Sequence, residues 1–453
     1  MNTELVVIGG GAAGLAAARA ARRRGASVTL VSDAPLGGDC TFTGCVPSKT
    51  LLSGARRGLS FTAAMANVTA VIGSISKGES EDVLRAEGVV VIRGRARFTS
   101  ASTLGVDGAS VRSKRFVIAT GAGPLVPLIS GLDPRSVLTN DNIFLQTTLP
   151  SRLTILGGGP VGVEMAEAFA RLGSHVTIVE AADRLLPREE PEASAAIVEY
   201  LESLGVRSLV ATTCVKVAHA TSTSRLEFDS GSPLECDALL VAVGRRPSSS
   251  GLGLERAGVL VDERGFVKVN ERLRTSIGGI YAAGDVAQSL QFTHVADETG
   301  RIAAGNALSR IPARRFKPQW IPMVTYTGLE VARVGVTEQT AASGARVAYL
   351  PMTEFDRAAM SGEERGFVKI IVGPRRFSGN LAGGSILGAT IVAPRAGEMI
   401  HEIVLAMRAG LFSARLATAT HAYPSWSLAV QMTAAQFFGE FGGRQARVVK
   451  TIE

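Results

Sequence analysis

Two cysteines, Cys40 and Cys45, stand in the glycine-rich segment Gly37–Lys49 with the pattern C-x4-C. By spacing alone, this pattern fits half of a metal site or two unrelated thiols. A zinc site would need two further ligands, and no second Cys/His pair has suitable spacing. Pro47 and Lys49 indicate that a helix starts near Cys45, and a helix N-terminus stabilises a thiolate. The segment therefore favours redox chemistry.

A glycine turn near the start of the chain predicts a dinucleotide site. The run Leu5–Ile8 is a short buried strand, followed by Gly9, Gly11 and Gly14 in the pattern G-x-G-x-x-G. An Ala/Arg helix to about Arg24 and a strand at Val28–Val31 complete a βαβ opening. In such a turn the first glycine turns the chain, the second lets the backbone approach a pyrophosphate, and the third lets helix and strand pack.

The same pattern returns later in the chain. A strand at Leu153–Leu156 leads into Gly157, Gly159 and Gly162, and a second strand follows at Val176–Glu180. One G-x-G-x-x-G is weak evidence, since it can be a mere tight turn. Two copies, each between a strand and a helix, indicate two dinucleotides, one a flavin and one a nicotinamide.

An acidic residue is expected at the end of the second strand of each unit, where it binds a ribose. Glu180 lies 23 residues after Gly157 and is well placed for this role. The same offset from Gly9 falls on Ser32, with Asp33 one position later. Either Ser32 bonds the first ribose or a small register shift presents Asp33. An ordinary strand-end polar residue remains the alternative for both sites.

Three later segments read as buried strands that end in turns: Arg115–Gly121, Ala238–Gly244 and Gly279–Asp285. The last places a carboxylate just after its strand. Beyond about Trp320 the pattern changes to strands and then to an amphipathic helix near Gly397–Arg408. One face of that helix carries Met399, Ile400, Ile403, Val404 and Met407. Such a stripe favours a core or subunit interface over a cofactor contact.

The composition excludes several classes of protein. With 453 residues, 46% hydrophobic and 19% charged, the chain can bury several cores and is not disordered. The net charge is +8, but the basic residues are scattered apart from short clusters such as Arg22–Arg24 and Arg314–Arg315, so nucleic-acid binding is not expected. The glycines and Arg19 within Leu5–Ala21 argue against a signal peptide or membrane span. With only four cysteines, no disulfide-stapled secreted fold is expected, and a cytoplasmic location follows.

The segment GGDCTFTGCVPSK resembles the redox-active disulfide motif of the class I pyridine nucleotide-disulfide oxidoreductases, which include lipoamide dehydrogenase, glutathione reductase and mercuric reductase. ATG, VAVGRRP and AAGDV are similar to the later landmarks of that family, so the resemblance covers almost the whole chain. Asp356–Ala358 and Gly366–Lys369 look closer to the mercuric reductase branch.

The resemblance implies an α/β fold with two Rossmann-like dinucleotide-binding domains, for FAD and NAD(P), and a C-terminal α+β dimerisation domain. The expected boundaries are 1–148 and 268–319 for the FAD-binding part, 149–267 for the NAD(P)-binding domain, and 320–453 for the dimerisation domain. A homodimer is expected, with no metal and with a small-molecule electron acceptor as the other partner.

The resemblance also implies roles for single residues. Cys45 would be the flavin-proximal thiolate and Cys40 the interchange thiol. Lys49 would lie near the flavin and pair with Glu164. Asp285 would hydrogen-bond the ribitol chain of FAD. The segment Gln291–His294, which includes Thr293 and His294, would line the flavin. Other cofactor contacts are expected at Gly38, Thr120, Gly121 and Gly244. Glu180 favours NADH because a carboxylate repels a 2′-phosphate, while Arg184 keeps NADPH open.

The C-terminal segment departs from the family pattern H-x-H-P-T-x-x-E, whose second His is the acid–base and whose Glu orients it. Tyr423 stands at the catalytic His position and Leu428 at the Glu position. His421 matches the first His, for which a structural role is expected. Mercuric reductase also lacks this His but uses an additional cysteine pair near the C-terminus. No cysteine follows Cys236 here.

These residues and the resemblance predict a FAD-dependent NAD(P)H oxidoreductase with a redox-active Cys40–Cys45 disulfide. It would pass electrons from NAD(P)H through the flavin to a quinone-like or other small acceptor. A tyrosine with a pKa near 10 is a poor base at neutral pH, which argues against efficient thiol chemistry. Reduction of a small disulfide or of mercuric ion remains an alternative, as does a non-catalytic flavoprotein. Either Tyr423 or His421 could act in proton transfer.

Overall fold

The structure is a computed structural model that describes residues 3–220, 223–288, 290–375 and 379–449. The chain divides into two compact units. Unit 1 comprises residues 1–128, 134–149 and 241–317, and unit 2 comprises residues 129–133, 150–240 and 318–453. Each unit is assembled from segments that are distant in sequence.

The strands of the described residues, in chain order, are β1 (Leu5–Ile8), β2 (Val28–Ser32), β3 (Val89–Arg93), β4 (Ala96–Ser100), β5 (Thr103–Val106), β6 (Ala109–Arg112), β7 (Phe116–Ile118), β8 (Ala122–Pro124), β9 (Arg152–Leu156), β10 (His175–Val179), β11 (Arg207–Leu209), β12 (Cys214–His219), β13 (Ser224–Phe228), β14 (Leu234–Cys236), β15 (Ala238–Val241), β16 (Arg245–Pro247), β17 (Ile280–Ala282), β18 (Met323–Thr325), β19 (Glu330–Gly335), β20 (Arg346–Pro351), β21 (Phe367–Gly373), β22 (Ser385–Ala393) and β23 (Arg447–Val448).

The α-helices of the same residues are α1 (Ala12–Arg22), α2 (Gly38–Phe42), α3 (Cys45–Arg56), α4 (Phe61–Lys77), α5 (Glu81–Ala86), α6 (Pro160–Arg171), α7 (Pro191–Glu202), α8 (Leu254–Ala257), α9 (Thr293–Leu308), α10 (Asp356–Ser361), α11 (Ala396–Arg408), α12 (Ser413–Thr418) and α13 (Leu428–Ala435).

Unit 1 is built on a five-stranded sheet in the order β17-β7-β1-β2-β3. The strand pairs are parallel, and β1 lies between β2 and β7 with every side chain buried. Continuous apolar runs are typical of strands covered on both faces. Helices α1 and α9 pack closely because Gly300 leaves no Cβ to collide with the carbonyl of Ala13. This arrangement places the carboxyl end of β1 and the start of α1 at one edge of the sheet.

Unit 2 contains a second sheet of the same type and a separate antiparallel one. The first has the order β11-β10-β9-β15, with β9, β10 and β11 parallel, and α6 follows β9 directly. The other is a six-stranded sheet in the order β18-β19-β22-β21-β20-β23. The α/β fold with two Rossmann-like parts and a C-terminal α+β part is therefore confirmed.

The amphipathic helix predicted near Gly397–Arg408 is α11, which packs on β19 and β22. Its predicted apolar face is buried in the core of unit 2, at Met399, Ile400, Ile403, Val404 and Met407. The methionines of this face are thus core residues within the subunit.

Most predicted elements lie within one or two residues of their expected bounds. The first helix ends at Arg22 rather than near Arg24, because Gly25 takes a left-handed conformation with φ +79° and turns the chain towards β2. The segment Arg115–Gly121 holds only a three-residue strand, β7, because Ala119–Gly121 already belong to the turn.

Candidate functional site

The two cysteines lie where one short helix ends and the next begins. Cys40 is inside α2, and Cys45 is the first residue of α3. Between them Gly44 is required, because a Cβ there would lie 2.8 Å from the carbonyl oxygen of Asp39. Both cysteines are free thiols here, with Cys45 exposed and Cys40 half-buried. The tight turn thus brings together two sulfurs that a longer loop would leave apart.

The protonation of the two thiols is unequal. A hydrogen bond with Cys45, burial, and the charge of Cys45 raise the pKa of the Cys40 thiol well above its usual range. Cys45 stands at the N-terminus of α3, where the helix dipole stabilises a thiolate, and its Sγ lies 3.4 Å from Oγ1 of Thr293. Cys40 is therefore the hydrogen-bond donor of the pair, and Cys45 is its acceptor.

The residue before Cys40 is held by three side chains. Asp39 accepts hydrogen bonds from Nδ2 of Asn140 at 3.0 Å, from the hydroxyl of Thr43, and from Nη2 of Arg245. Thr43 belongs to the C-x4-C loop itself. The carboxylate therefore fixes the loop that spaces the two sulfurs.

Arg245 also reaches the carboxylate predicted to bind the flavin ribitol. Its Nε lies 3.5 Å from Oδ2 of Asp285. Burial raises the pKa of Asp285 to about 6, the positive charge of Arg245 acts against this, and the negative charges of Asp39 and Cys45 add to it. A single guanidinium thus serves both carboxylates. Sequence reasoning missed the roles of Asp39 and Arg245, although both stand inside quoted motifs.

The first glycine turn is open at its central position. Gly9 has φ +105°, and a Cβ there would collide with the carbonyl of Ala119. Gly14 packs against the carbonyl of Gly9, while a Cβ on Gly11 would meet only Cα of Gly38, at 3.9 Å. Gly11 is also the N-cap of α1, and no side chain among the described residues caps that helix. The free backbone N–H groups fit a pyrophosphate, as FAD would present there.

The ribose position of unit 1 is occupied by Ser32, the last residue of β2. Its side chain lies beside Gly10, the second residue of the turn, and its hydroxyl donates to the carbonyl of Ala34 at 2.8 Å. Asp33 is exposed. The choice between Ser32 and Asp33 stays a prediction.

Several other predicted contacts lie in unit 1. The hydroxyl of Thr120 donates to the carbonyl of Ser248 at 2.7 Å, and both Gly121 and Gly244 have positive φ. Thr293 is the first residue of α9, and the ring of His294 stacks on Phe292 with centroids 5.4 Å apart. Nε2 of Gln291 is buried without a hydrogen-bond acceptor within the described ranges. An unsatisfied buried donor fits a cofactor that accepts a hydrogen bond there.

The second glycine turn, in unit 2, repeats the first. Gly157 has φ +108°, Gly162 packs against its carbonyl, and a Cβ on Gly159 would meet nothing within 4 Å. Glu180 follows β10 and accepts hydrogen bonds from the N–H of Gly158 at 2.6 Å and of Ala182 at 2.8 Å. The carboxylate is thus fixed at the turn, as a ribose-binding acid requires.

Lys49 and Glu164 belong to different units. Lys49 is in α3 of unit 1. Glu164 is buried in α6 of unit 2, where its Oε1 accepts a hydrogen bond from the N–H of Tyr326 at 2.9 Å. The predicted pairing of the two side chains stays a prediction.

Tyr423, which the resemblance predicts at the position of the family's catalytic histidine, has an acidic partner. The hydroxyl of Tyr423 donates to Oδ2 of Asp356 at 3.1 Å, and the side chain is 63% exposed. The hydrogen bond to Asp356 and the charge of that carboxylate raise the pKa of Tyr423. Leu428, which the resemblance predicts at the position of the family's glutamate, is the first residue of α13 and carries no polar group.

His421 does have a carboxylate partner, but on α11. Its Nε2 lies 2.9 Å from Oε2 of Glu402, and its Nδ1 lies 2.9 Å from the carbonyl oxygen of Ala419. A carbonyl only accepts, so Nδ1 carries a hydrogen, and the contact with Glu402 needs one further proton between the two groups. Burial raises the pKa of Glu402, while the hydrogen bond and the electrostatic interaction with His421 act against this rise. Both ring nitrogens are therefore engaged, consistent with a structural role.

Comparison with known proteins defines the class. Residues 3–300 match the family model described as pyridine nucleotide-disulphide oxidoreductase, and residues 321–434 match the dimerisation domain of the same family. The chain belongs to the pyridine nucleotide-disulphide oxidoreductase family. It is an NAD(P)H-dependent flavoprotein oxidoreductase whose cofactors are FAD and NAD(P)H, and the two open glycine turns fit them.

Particular relatives span nearly the whole chain. The mercuric reductase of Staphylococcus aureus is 35% identical over 90% of this chain and 77% of its own length. The dihydrolipoyl dehydrogenase of Thermus scotoductus is 34% identical over 94% of this chain and 95% of its own. The Cu(II) complex of RclA, an HOCl-induced flavoprotein disulfide reductase from Escherichia coli, has a TM-score of 0.87 at 30% identity, covering 96% of this chain and 99% of RclA.

Two further findings concern partners. The match to a dimerisation domain suggests a homodimer. Within the described ranges, no helix is long and apolar enough to cross a membrane, and no group of three or more His, Cys, Asp or Glu side chains is placed to hold a metal ion.

Proposed function

We propose that this enzyme transfers electrons from NADH to a small quinone-like acceptor and is a poor reductase of lipoamide or glutathione. The observation that supports this is the Tyr423–Asp356 hydrogen bond. Reduction of a substrate disulfide needs a group near the thiols that takes and returns a proton at neutral pH. The residue at the family's acid–base position cannot do so.

The chemistry of Tyr423 follows from its partner. The phenol donates its proton to a carboxylate, and that contact raises its pKa from an ordinary value already near 10. At neutral pH it is therefore a protonated donor rather than a base. Leu428 cannot orient or charge any neighbour. A quinone needs no thiol base, so the loss is compatible with turnover of such an acceptor.

The cofactor sites support the remaining parts of the proposal. Bound FAD supplies the hydride-accepting chemistry that couples a nicotinamide to a one- or two-electron acceptor. The N–H groups at Gly11 bind its pyrophosphate, and Asp285 binds its ribitol chain. Glu180, which is fixed by two backbone N–H groups, binds the ribose hydroxyls of NADH and repels a 2′-phosphate. Arg184 is already bonded to Asp183 and to the carbonyl of Pro187, so it is less available to NADPH.

Steady-state turnover against a panel of acceptors tests the proposal. Menadione, lipoamide and oxidised glutathione are compared at equal NADH concentration, with NADPH as the alternative donor. We expect high kcat/KM only with the quinone, and a preference for NADH that weakens in Glu180→Gln. Rapid lipoamide reduction by the wild type would contradict the proposal.

Reduction of a soft metal ion is a second candidate, and the dithiol pair is the observation that favours it. Cys40 and Cys45 are hydrogen-bonded, and Cys45 is exposed. Thiolates prefer soft ions such as Cu(I), and relatives of the chain include mercuric reductases. This candidate requires that NADH-dependent loss of mercuric or cupric ion disappears in both Cys40→Ser and Cys45→Ser. Retention of quinone turnover in the same variants would separate the two activities.

The wider organisation is part of the same proposal. We assign FAD to residues 1–148 and 268–319, NADH to residues 149–267, and dimer formation to residues 320–453, with the enzyme acting in the cytoplasm. Phe438 and Phe441 are exposed after α13, whereas Val430 and Phe437 are buried in the core of unit 2. The two exposed rings are the part of Leu428–Phe441 that a second subunit would cover.

A further inference from the structure

Unit 1 has a cleft at the amino ends of the strands of its parallel sheet. The glycine turn lies at the opposite, carboxyl end of these strands. Glu4 precedes β1 and Arg115 precedes β7, and both line a cleft of about 470 Å³ at the amino ends of these strands. Arg24 and Arg314 line the same cleft. Small-molecule sites typically occupy roughly 300–1,000 Å³, so the cleft is large enough for one.

The fold joins two arginine clusters that are separate in the sequence. Arg22–Arg24 ends α1, and Arg314–Arg315 follows α9. Gly305 lies between them, because a Cβ on it would be 3.3 Å from Nη2 of Arg24 and 3.7 Å from Cδ of Arg314. The side chains of Arg24 and Arg314 therefore both pack against Gly305, and Arg115 lines the same cleft.

Of the three arginines in the cleft, Arg24 is the one that bonds to a helix end. Nη1 of Arg24 donates to the carbonyl of Ala20 at 2.9 Å and so satisfies the C-terminus of α1. The guanidinium groups of Arg115 and Arg314 form no hydrogen bond or ion pair within the described part of the chain. Glu4 is occupied by the backbone N–H of Ser27, at 2.9 Å.

The net charge of the cleft is positive even when Glu4 and the nearby helix ends are included. The ends of α1 and α9 carry about half a negative charge each, and Glu4 carries one. Against three guanidinium groups, this leaves a surplus of about one positive charge. Holding like charges around a concave surface is unfavourable unless an anion occupies it.

We propose that this cleft binds a small phosphate monoester that carries an apolar group. Arg115 and Arg314 bind the phosphate, since guanidinium and phosphate form paired charge-assisted hydrogen bonds. Leu308 and Ile311 line the same cleft, and Ile311 is 81% exposed, so these side chains receive the apolar group. The site is separate from the glycine turn and adds to the proposed function without depending on it.

Calorimetric titration of the FAD-loaded enzyme with phenyl phosphate tests the proposal. We expect saturable binding with one site per chain. Arg314→Gln and Arg115→Gln should each weaken it by roughly 10- to 100-fold, the range for loss of a charge-assisted hydrogen bond. Arg310→Gln is the matched control, because it removes the same charge from the same exposed loop but does not line the cleft, and it should bind as the wild type does. Flavin absorbance and the melting temperature verify that each variant is folded.

Three results would overturn the assignment. The first is an equal effect of Arg310→Gln and Arg314→Gln, which would indicate a general charge effect. The second is displacement of phenyl phosphate by NAD+, which would place the ligand at the second glycine turn, Gly157–Gly162 of unit 2. The third is sedimentation of the enzyme with phosphatidic acid vesicles that depends on Arg314, which would assign the phosphate to a lipid headgroup rather than a free solute. Weaker binding of inorganic phosphate than of phenyl phosphate would support the apolar contact.

Discussion

The hydroxyl of Tyr423 donates a hydrogen bond to Oδ2 of Asp356 at 3.1 Å, and this contact joins the loop before α13 to the first residue of α10. The carboxylate keeps the phenol protonated, since loss of that proton would place two negative charges side by side. Tyr423, which we propose to stand at the position of the family's acid–base histidine, is therefore a hydrogen-bond donor.

The pH dependence of Tyr423 follows from this contact. The hydrogen bond to Asp356 and the charge of that carboxylate raise the pKa of Tyr423, so this tyrosine ionises at a higher pH than an unperturbed tyrosine does. Asp356→Asn should shift its ionisation to lower pH. Ultraviolet difference titration of tyrosinate, with Tyr423→Phe to identify the signal, measures this. An unchanged titration curve in Asp356→Asn would contradict the contact.

If the His–Glu dyad is missing as we propose, introducing it should restore thiol chemistry. Tyr423→His together with Leu428→Glu is expected to raise lipoamide turnover by ~10²–10⁴-fold, the usual contribution of general acid–base catalysis. Neither change alone should suffice, because an imidazole without an orienting partner is often in the wrong tautomer. The kcat/KM for lipoamide in the two single variants and the double variant measures this, with quinone turnover as the control for folding.

The hydrogen bond between the two thiols sets the reactivity of Cys45. Cys40→Ser keeps a hydroxyl donor at this position, whereas Cys40→Ala removes it. Because a hydrogen bond to the charged form favours that form, the Cys45 pKa should be higher in the Ala variant than in the Ser variant. The pH dependence of alkylation of the reduced enzyme gives both values. Equal pKa values in the two variants would mean that Cys40 does not donate to Cys45.

Asp39 should be a stabilising residue as well as part of the redox loop. Asp39→Ala leaves the guanidinium of Arg245, whose side chain is 20% exposed, without its main partner, and should lower the free energy of unfolding by roughly 1–3 kcal/mol. Glu263→Ala, at an exposed position of the same unit that has no predicted cofactor contact, should change it by less than about 0.5 kcal/mol. Urea unfolding of the FAD-loaded enzyme compares them, and similar effects of the two changes would refute the role of Asp39.

Removing the cation of a buried ion cluster should destabilise unit 2 strongly. Lys369 is 1% exposed and lies 2.7 Å from Glu192, 3.0 Å from Glu338 and 3.4 Å from Glu190. Lys369→Met leaves the buried Glu190 without its cation, which typically costs about 3–5 kcal/mol. Lys216→Met removes an exposed lysine that pairs with Glu227 and should cost less than about 1 kcal/mol. Melting temperatures of the two variants test the contrast.

The spacing of residues within short sequence motifs was enough to predict the turns and the strands and helices next to them. The glycine turns, the strands on either side of them, and the position of Glu180 follow from short motifs, because a turn and the next helix involve neighbouring residues. The apolar face of α11 was predicted for the same reason. Its position in the core rather than at a subunit interface depends on β19 and β22, which its own sequence does not specify.

Contacts between distant residues were not predictable in this way. Asp39 and Arg245 are 206 positions apart, and only the return of the chain through β16 brings them together. The same holds for Glu402 and His421, which lie on separate elements, and for Arg24 and Arg314. Polar side chains such as these give no periodic signal, so their pairing is settled by tertiary structure.

The central claim is that turnover with a quinone does not need the thiol pair. The most direct test is NADH-dependent reduction of menadione by Cys40→Ser beside the wild type, with lipoamide as the second acceptor. We expect Cys40→Ser to keep most of the quinone activity and both proteins to reduce lipoamide slowly. Rapid lipoamide reduction by the wild type, together with loss of all activity in Cys40→Ser, would contradict it.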